Sequence, residues 1–164
     1  MKIALFDLGD TLENNDVLLP GAKDMLQAIQ QLRDPQGRPP ILALLSDYSP
    51  TAQEIVRLKQ EYCDILQQLN IRSFFEPVAK HVTLSTESIV FKPDERIFRL
   101  AIDKVNPGGA FSDTMFITER LPHVEAARKL GMNAIHFQGP GQTTGDVQHL
   151  IDLVPLIRNF VEAR

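Results

Sequence analysis

The chain has 164 residues, of which 43% are hydrophobic and 23% charged, a composition typical of a globular protein, and we expect a single domain over residues 1–164. Its 17 lysine and arginine residues are scattered and outnumbered by 21 acids, which argues against a nucleic-acid groove or a polybasic membrane patch. The one cysteine, Cys63, excludes an internal disulfide. No apolar run approaches the ~18 residues of a membrane span, and the start does not have the pattern of a signal peptide, so we expect a cytoplasmic protein.

The first half of the chain predicts two buried strands, each followed by a helix. Residues 2–7 (KIALFD) and 41–45 (ILALL) are short apolar runs that end in polar residues, which is typical of buried strands. Apolar residues at helical spacing predict a helix over 22–33 and another over 49–70. The second begins at Ser-Pro-Thr, where proline is tolerated in the first turn.

The second half predicts three more strands and three more helices. The strands cover 81–84, 114–117 and 133–137, and the helices cover 93–105, 122–130 and 146–163. Pro155 is expected to kink or break the last helix. Strands that alternate with helices and are apolar on both faces predict an α/β fold. We therefore expect a doubly wound, three-layer, Rossmann-like fold with a parallel sheet of about five strands.

Polar side chains follow several of the predicted strands. Ligands of an open parallel sheet bind beyond the carboxyl ends of its strands, where Asp7, Ser46 and Glu119 lie, and Lys92 begins a helix nearby. A carboxylate, a hydroxyl and an ammonium at one edge suit phosphoryl transfer: the carboxylate attacks phosphorus while the others, with Mg²⁺, hold the nonbridging oxygens. Asp7 is the candidate nucleophile. Acids after strands also shape turns or cap helices, and spacing alone does not separate the two interpretations.

Four separated segments resemble, in order, motifs of the haloacid dehalogenase superfamily of phosphohydrolases. They are LFDLGDTL at 5–12, LLSD at 44–47, FKPDERIF at 91–98 and FITERLPHVEAARKLGMNAIHF at 116–137. With the spacing between them, the segments cover nearly the whole chain. The resemblance implies a mechanism through an aspartyl phosphate, with Asp7 as nucleophile, Ser46 binding the phosphoryl group and Lys92 neutralising its charge.

The resemblance also implies a Mg²⁺ site. In such a site the ion would be held by Asp7, by the backbone carbonyl of Gly9 and by Glu119, the acid after the fourth strand. The candidate substrate contacts are polar residues within the first two segments, namely Asp10, Thr11 and Asp47.

Two of the segments depart from the family pattern. The family usually has a second Asp where this chain has Gly9, and that Asp is the general acid for the leaving group and then the base for water. Asp10 is one position late, and neighbouring side chains tend to point oppositely. Because losing a positioned acid costs ~10²- to 10⁴-fold in rate, we expect a slow phosphatase or one that needs a good leaving group.

The second departure lies after the fourth strand. Glu119 stands where the family commonly has Asp, and its longer side chain must shift to satisfy the short contacts that Mg²⁺ demands. His123 stands where a second acid often follows, and imidazole suits softer metals. We expect His123 to be a solvated residue in the first turn of a helix.

About a third of segment 8–45 is the first predicted helix, and segment 47–91 is mostly the second predicted helix and a strand, so we expect no cap domain in either. The resemblance is therefore to capless members, in which a macromolecular substrate or a neighbouring subunit covers an open site. The substrate is an unidentified phosphate ester, either a small molecule or a macromolecule.

Three functions compete at this point. The first is a Mg²⁺-dependent phosphohydrolase. The alternative is a catalytically impaired binding or regulatory module with the same fold, which the changes at 9, 119 and 123 favour. A receiver domain of signalling systems shares the fold class but carries an Asp after its third strand, where this chain has Ser85 and Thr86, and we discount it.

Overall fold

The computed structural model describes residues 1–48 and 55–163, without the side chain of Ile55, so the predicted helix start at Ser49-Pro50-Thr51 lies outside the described residues. The strands are, in chain order, β1 (Ile3–Phe6), β2 (Glu13–Asn14), β3 (Val17–Leu18), β4 (Ile41–Ser46), β5 (Val82–Leu84), β6 (Thr114–Thr118) and β7 (Asn133–His136). The helices are α1 (Ala22–Gln30), α2 (Ile55–Gln68), α3 (Val78–His81), α4 (Ser85–Ser88), α5 (Glu95–Val105), α6 (Leu121–Lys129) and α7 (Leu153–Glu162).

Five of the strands form a parallel sheet in the order β5-β4-β1-β6-β7. In its register Ile3 of β1 pairs with Ile41 of β4 on one side and with Thr114 of β6 on the other. The chain builds outward from β1 through β4 to β5 and then returns to the other side of β1. The strand order thus reverses between β1 and β6, the place where open α/β sheets bind their ligands.

Alternate residues of each strand belong to opposite cores, which makes the protein three-layered. Ala4 and Phe6 of β1 pack in the core that includes residues of α1, α2 and α7. Ile3 and Leu5 pack in the core that includes residues of α5 and α6. Burial on both faces explains why these strands are continuous apolar runs rather than alternating ones. The predicted doubly wound fold with a five-stranded parallel sheet is confirmed.

Each predicted strand of the sheet occurs within one or two residues of its expected bounds, but the C-terminal helix differs from its prediction. A 3₁₀ turn over Leu150–Asp152 precedes α7, which begins at Leu153. Pro155 therefore lies in the first turn, where its missing N–H would have had no helical partner, and the expected kink inside the helix was wrong. Among the described residues, no helix is long and apolar enough to cross a membrane.

The sequence patterns missed a hairpin between β1 and α1. Strands β2 and β3 pair antiparallel, and Asn15 and Asp16 between them have positive φ values of 52° and 61°. Two consecutive residues in this left-handed region are typical of a type I′ turn. The run Asn14-Asn15-Asp16 was the available signal, since Asn and Asp tolerate this conformation better than other side chains.

Candidate active site

An open pocket of about 320 Å³ lies beyond the carboxyl ends of β1 and β4. Seven of the residues singled out in the sequence line it: Asp7, Gly9, Asp10, Ser46, Asp47, Lys92 and Glu119. The polar residues that line it and that the sequence patterns did not indicate are Glu13, Asp16, Tyr48, Tyr62 and Arg120. Six of the lining side chains are acids and two are bases, so the pocket is strongly acidic.

A buried ion pair lies at the base of the pocket. The Lys92 ammonium donates to Asp7 Oδ2 at 2.5 Å and to the Leu45 carbonyl at 2.9 Å, although Lys92 and Asp7 are 85 residues apart in the chain. The Leu8 amide donates to the other Asp7 oxygen at 3.0 Å. Asp47 accepts from the backbone N–H of Lys92 at 2.9 Å and so fixes the loop that carries the lysine. These contacts hold a carboxylate and an ammonium together in a defined geometry.

Ser46, at the end of β4, contacts a tyrosine from α2. Its hydroxyl lies 2.6 Å from the Tyr62 hydroxyl, and Tyr62 is 2% exposed. Burial raises the pKa of Tyr62 far above its usual range, and the negative charges of Asp7 and Glu13 act in the same direction. Tyr62 is therefore a neutral phenol. Tyr62 belongs to the helix predicted over 49–70, and only the fold brings it to Ser46.

Two threonines hold Glu119 beside Asp7. The Thr11 hydroxyl donates to Glu119 Oε2 at 2.7 Å, and the Thr118 hydroxyl lies 3.2 Å from both Glu119 Oε2 and Asp7 Oδ2. Burial raises the pKa of Glu119, and the neighbouring charge of Asp7 acts in the same direction. Thr11 was expected to contact substrate. It is instead fully buried, and its hydroxyl holds the Glu119 carboxylate.

The backbone of Glu119 is also held in place. Its carbonyl accepts from His136 Nε2 at 3.0 Å and from Gln142 Nε2 at 3.1 Å. A Cβ at Gly139 would lie 2.8 Å from the Cβ of Glu119, so the loop after β7 approaches this residue as closely as a glycine permits. The His136 ring thus fixes the backbone of a residue that lines the pocket.

The donors at this edge fit a magnesium ion. Among the described residues, no cluster of three or more His, Cys, Asp or Glu side chains is placed to hold a metal. Magnesium, however, is usually bound by one or two carboxylates together with water and substrate phosphate. Asp7 and Glu119, which contact the same Thr118 hydroxyl, are two such carboxylates, and Gly9 lines the same pocket. This oxygen-only set suits a hard cation.

His123 is buried, which corrects the expectation of a solvated side chain. It lies in the first turn of α6 and is 6% exposed, and its Nδ1 has no hydrogen-bond partner among the described residues. Burial lowers the pKa of His123, and the positive charge of Lys92 acts in the same direction. A buried imidazole thus stands where the motif resemblance led us to expect a second acid.

The hairpin brings two more acids to the pocket beside Gly9. A Cβ built at Gly9 would lie 3.6 Å from Glu13 Oε1. Burial raises the pKa of Glu13, and the negative charges of Asp16 and Asp10 raise it further. The Asp16 amide, which donates to Glu13 Oε2 at 3.0 Å, acts in the opposite direction. Asp10 has a positive φ of 57°, and its carboxylate accepts from the side-chain amide of Asn14 within the hairpin.

Comparison with known proteins identifies the fold. No family model and no curated protein matches this chain. The crystal structure of an uncharacterised protein from Corynebacterium glutamicum is similar over 100% of this chain and 98% of its own, with a TM-score of 0.61 and 16% identity. A conserved haloacid dehalogenase-like protein of unknown function from Agrobacterium tumefaciens is similar over 89% of this chain, with a TM-score of 0.60 and 17% identity.

This chain spans 62% of the Agrobacterium protein and almost all of the Corynebacterium one. The class of protein that the fold defines is therefore an α/β protein with a parallel, Rossmann-like sheet. More narrowly, this chain has the haloacid dehalogenase-like fold, as its four motif segments predicted.

Proposed function

We propose that this protein is a Mg²⁺-dependent phosphohydrolase that acts through an aspartyl phosphate formed on Asp7. The contact between the Asp7 carboxylate and the Lys92 ammonium carries this proposal. Burying two charges together costs several kcal/mol of desolvation per ion, and replacing such pairs by apolar residues often stabilises a protein. A buried pair that borders an open pocket is therefore a functional-site candidate rather than a device for stability.

In this mechanism the Asp7 carboxylate attacks the phosphorus of the substrate, and the bond from phosphorus to the leaving oxygen breaks. The Lys92 ammonium neutralises charge on the phosphoryl oxygens. The Ser46 and Tyr62 hydroxyls lie within hydrogen-bond distance, and in this mechanism the neutral phenol is the donor. The serine hydroxyl is then free to donate to a phosphoryl oxygen. Water then attacks phosphorus, and release of inorganic phosphate restores the Asp7 carboxylate.

Asp7, the Gly9 carbonyl and Glu119 would hold the Mg²⁺ ion. When bound, Mg²⁺ supplies positive charge that stabilises the transferred phosphoryl group. Thr11 and Thr118 direct Glu119 toward Asp7 through their hydroxyls. The open pocket accepts phosphate esters of small molecules or of macromolecules, and we assign no particular ester to it.

The test is phosphate release from p-nitrophenyl phosphate with Mg²⁺ or with a chelator. We expect Mg²⁺-dependent release by the natural protein and background release by Asp7→Asn, because an amide is a poor nucleophile that cannot form an acyl phosphate. Asp24→Asn makes the same change on the exposed side of α1, outside the pocket, and should leave the rate unchanged.

Mg²⁺-dependent activity that persists in purified Asp7→Asn protein would rule out the covalent mechanism. Tight binding of a phosphate analogue without release of phosphate would instead support the alternative of a binding or regulatory module.

A further inference from the structure

We propose that the Glu13 carboxyl group, carried by the β2–β3 hairpin, donates the proton to the leaving group and then serves as base for water. Glu13 would thereby replace the acid that is missing at position 9. This inference rests on the proposed phosphohydrolase function and names the residue that completes it.

The backbone fixes Glu13 relative to the nucleophile. The Glu13 amide donates to the Leu8 carbonyl at 3.1 Å, and the Asp10 amide donates to the Glu13 carbonyl at 2.7 Å. These two bonds form a β-bridge between Gly9 and Glu13. The residue that begins the hairpin is therefore anchored to the segment that directly follows Asp7.

The side chain of Glu13 reaches the space that a side chain at position 9 would use. Oε1 of Glu13 lies 3.6 Å from the position of a Cβ at Gly9. When the chain neighbours Leu8 and Asp10 are left out, no other heavy atom of the described residues lies within 4 Å of that position. Glu13 lines the same pocket as Asp7 and Lys92. A carboxyl group is thus present at this place, although position 9, where the family usually has an aspartate, is a glycine in this chain.

One oxygen of Glu13 is held and the other is free. The Asp16 amide donates to Oε2 at 3.0 Å, and Oε1 accepts no hydrogen bond among the described residues. The bond to Oε2 orients the carboxyl group and leaves Oε1, the atom nearest Gly9, available to a leaving oxygen or a water molecule.

Three other titratable groups at or near the pocket fit this role less well. The carboxylate of Asp10 is bound to Asn14 inside the hairpin. The carboxylate of Glu119 is held by two threonine hydroxyls. His123 does not line the pocket. Glu13 is the group whose unbound oxygen lies beside the vacant position.

The proton balance is complete with Glu13 alone. In the first step the protonated carboxyl donates its proton to the leaving oxygen as the phosphorus–oxygen bond breaks, which yields the alcohol, phospho-Asp7 and the Glu13 carboxylate. In the second step this carboxylate takes a proton from the attacking water as the bond from phosphorus to Asp7 breaks. Inorganic phosphate, the Asp7 carboxylate and protonated Glu13 result.

The test compares an alkyl ester, propyl phosphate, with an aryl ester, p-nitrophenyl phosphate, whose leaving group needs no proton. In Glu13→Gln we expect hydrolysis of the alkyl ester to fall ~10²- to 10⁴-fold. With the aryl ester the first step persists and the second slows, so one equivalent of nitrophenolate per protein should appear in a burst. Glu125→Gln, the same substitution at an exposed residue of α6, should change neither ester.

A second variant restores the acid at its usual place. Gly9 does not have positive φ, and a Cβ there meets only an ordinary van der Waals contact, so Gly9→Asp is sterically tolerated. In the Glu13→Gln background we expect Gly9→Asp to raise the alkyl rate at least tenfold and to abolish the burst.

Equal losses on both esters without a burst, or an alkyl rate unchanged in Glu13→Gln, would overturn this inference while leaving phosphatase activity intact. A natural protein that cleaves neither ester, with Asp7→Asn indistinguishable from it, would overturn the proposed function and this inference with it. Failure of Gly9→Asp to restore a correctly folded Glu13→Gln protein, checked by its melting temperature, would also count against Glu13.

Discussion

At Asp7 and Lys92 the protein buries two opposite charges within 2.5 Å of each other. The Lys92 side chain is 1% exposed and the Asp7 side chain 10%. Lysine is almost never buried so completely unless it is paired, because an unpaired ammonium loses its hydration without compensation. Removing either charge alone is therefore expected to lower the free energy of unfolding, because the other charge stays buried without its partner.

This dependence can be measured with Lys92→Met, which removes the cation and keeps the volume. The free energy of unfolding should fall by about 3–5 kcal/mol, because the Asp7 carboxylate stays buried without its partner. The double variant Asp7→Asn with Lys92→Met should recover part of that loss in urea unfolding. Arg96→Met, which removes one member of an exposed pair with Asp94, should have little effect. Equal effects of the two methionine variants would show that the buried pair is not coupled.

At the scale of elements, helix α7 shows how the position of a proline decides its effect. Pro155 is the third residue of α7 and is exposed. Pro155→Ala should leave the melting temperature almost unchanged, because Pro155 is exposed and lies in the first turn, where proline is tolerated. Arg158→Pro, one turn further along, should cost about 3 kcal/mol by removing a bond and clashing with the preceding turn. A large loss in Pro155→Ala would show that this residue does more than begin the helix.

A cluster around Glu87 ties four elements together. Lys59 of α2 and Lys104 of α5 both contact its carboxylate, at 2.7 and 2.9 Å, and Lys104 also donates to the Val82 carbonyl of β5. Burial would raise the pKa of Glu87, but the hydrogen bonds from Lys59, the Leu84 amide and Lys104 outweigh it and lower the pKa below its ordinary value of 4.5. Burial lowers the pKa of Lys104, the Glu87 carboxylate opposes this, and the positive charge of Lys59 lowers the pKa further.

The lowered pKa of Glu87 predicts a pH dependence. A carboxylate with a lower pKa in the folded state contributes stability that is complete above the unfolded value and is lost as pH falls through the folded value. In urea unfolding at pH 7 the natural protein should be more stable than Glu87→Gln, and the difference should shrink as the pH falls below about 4.5. A difference that stays constant down to pH 3 would contradict the lowered pKa.

At the scale of the whole molecule, the charge of the pocket determines what binds there. The chain carries a net charge of -4, and the pocket lining is itself rich in carboxylates. An anionic phosphate would be repelled from such a pocket unless a cation were bound with it. We therefore expect phosphate and Mg²⁺ to bind together rather than independently.

Thermal unfolding with beryllium fluoride, an analogue of the acyl phosphate, tests this coupling. The melting temperature should rise when Mg²⁺ and the analogue are both present and much less with either alone. A ligand at 100 times its Kd stabilises the folded state by about 2.7 kcal/mol. Asp7→Asn and Glu119→Gln should lose the joint effect. A full shift in the presence of a chelator would show that the analogue binds without the metal.

The sequence by itself determined the five strands of the sheet, five of the seven helices among the described residues and half of the residues that line the pocket. These features follow from local patterns, because apolar runs ended by polar residues mark strands and the carboxyl ends of parallel strands meet at one edge. Asp7, Ser46, Lys92 and Glu119 were identified in this way and by the resemblance of their motifs.

Only the tertiary structure decided which side chains support them. Tyr62 reaches Ser46 and Thr11 reaches Glu119 across 16 and 108 residues of chain, distances over which no sequence period carries information. Glu13 comes beside Gly9 through a hairpin with strands of two residues, too short to produce an alternating pattern. The burial of His123 likewise depends on what packs against α6. Local sequence sets secondary structure through sterics and periodicity, whereas these contacts arise from the packing of elements that are distant in the chain.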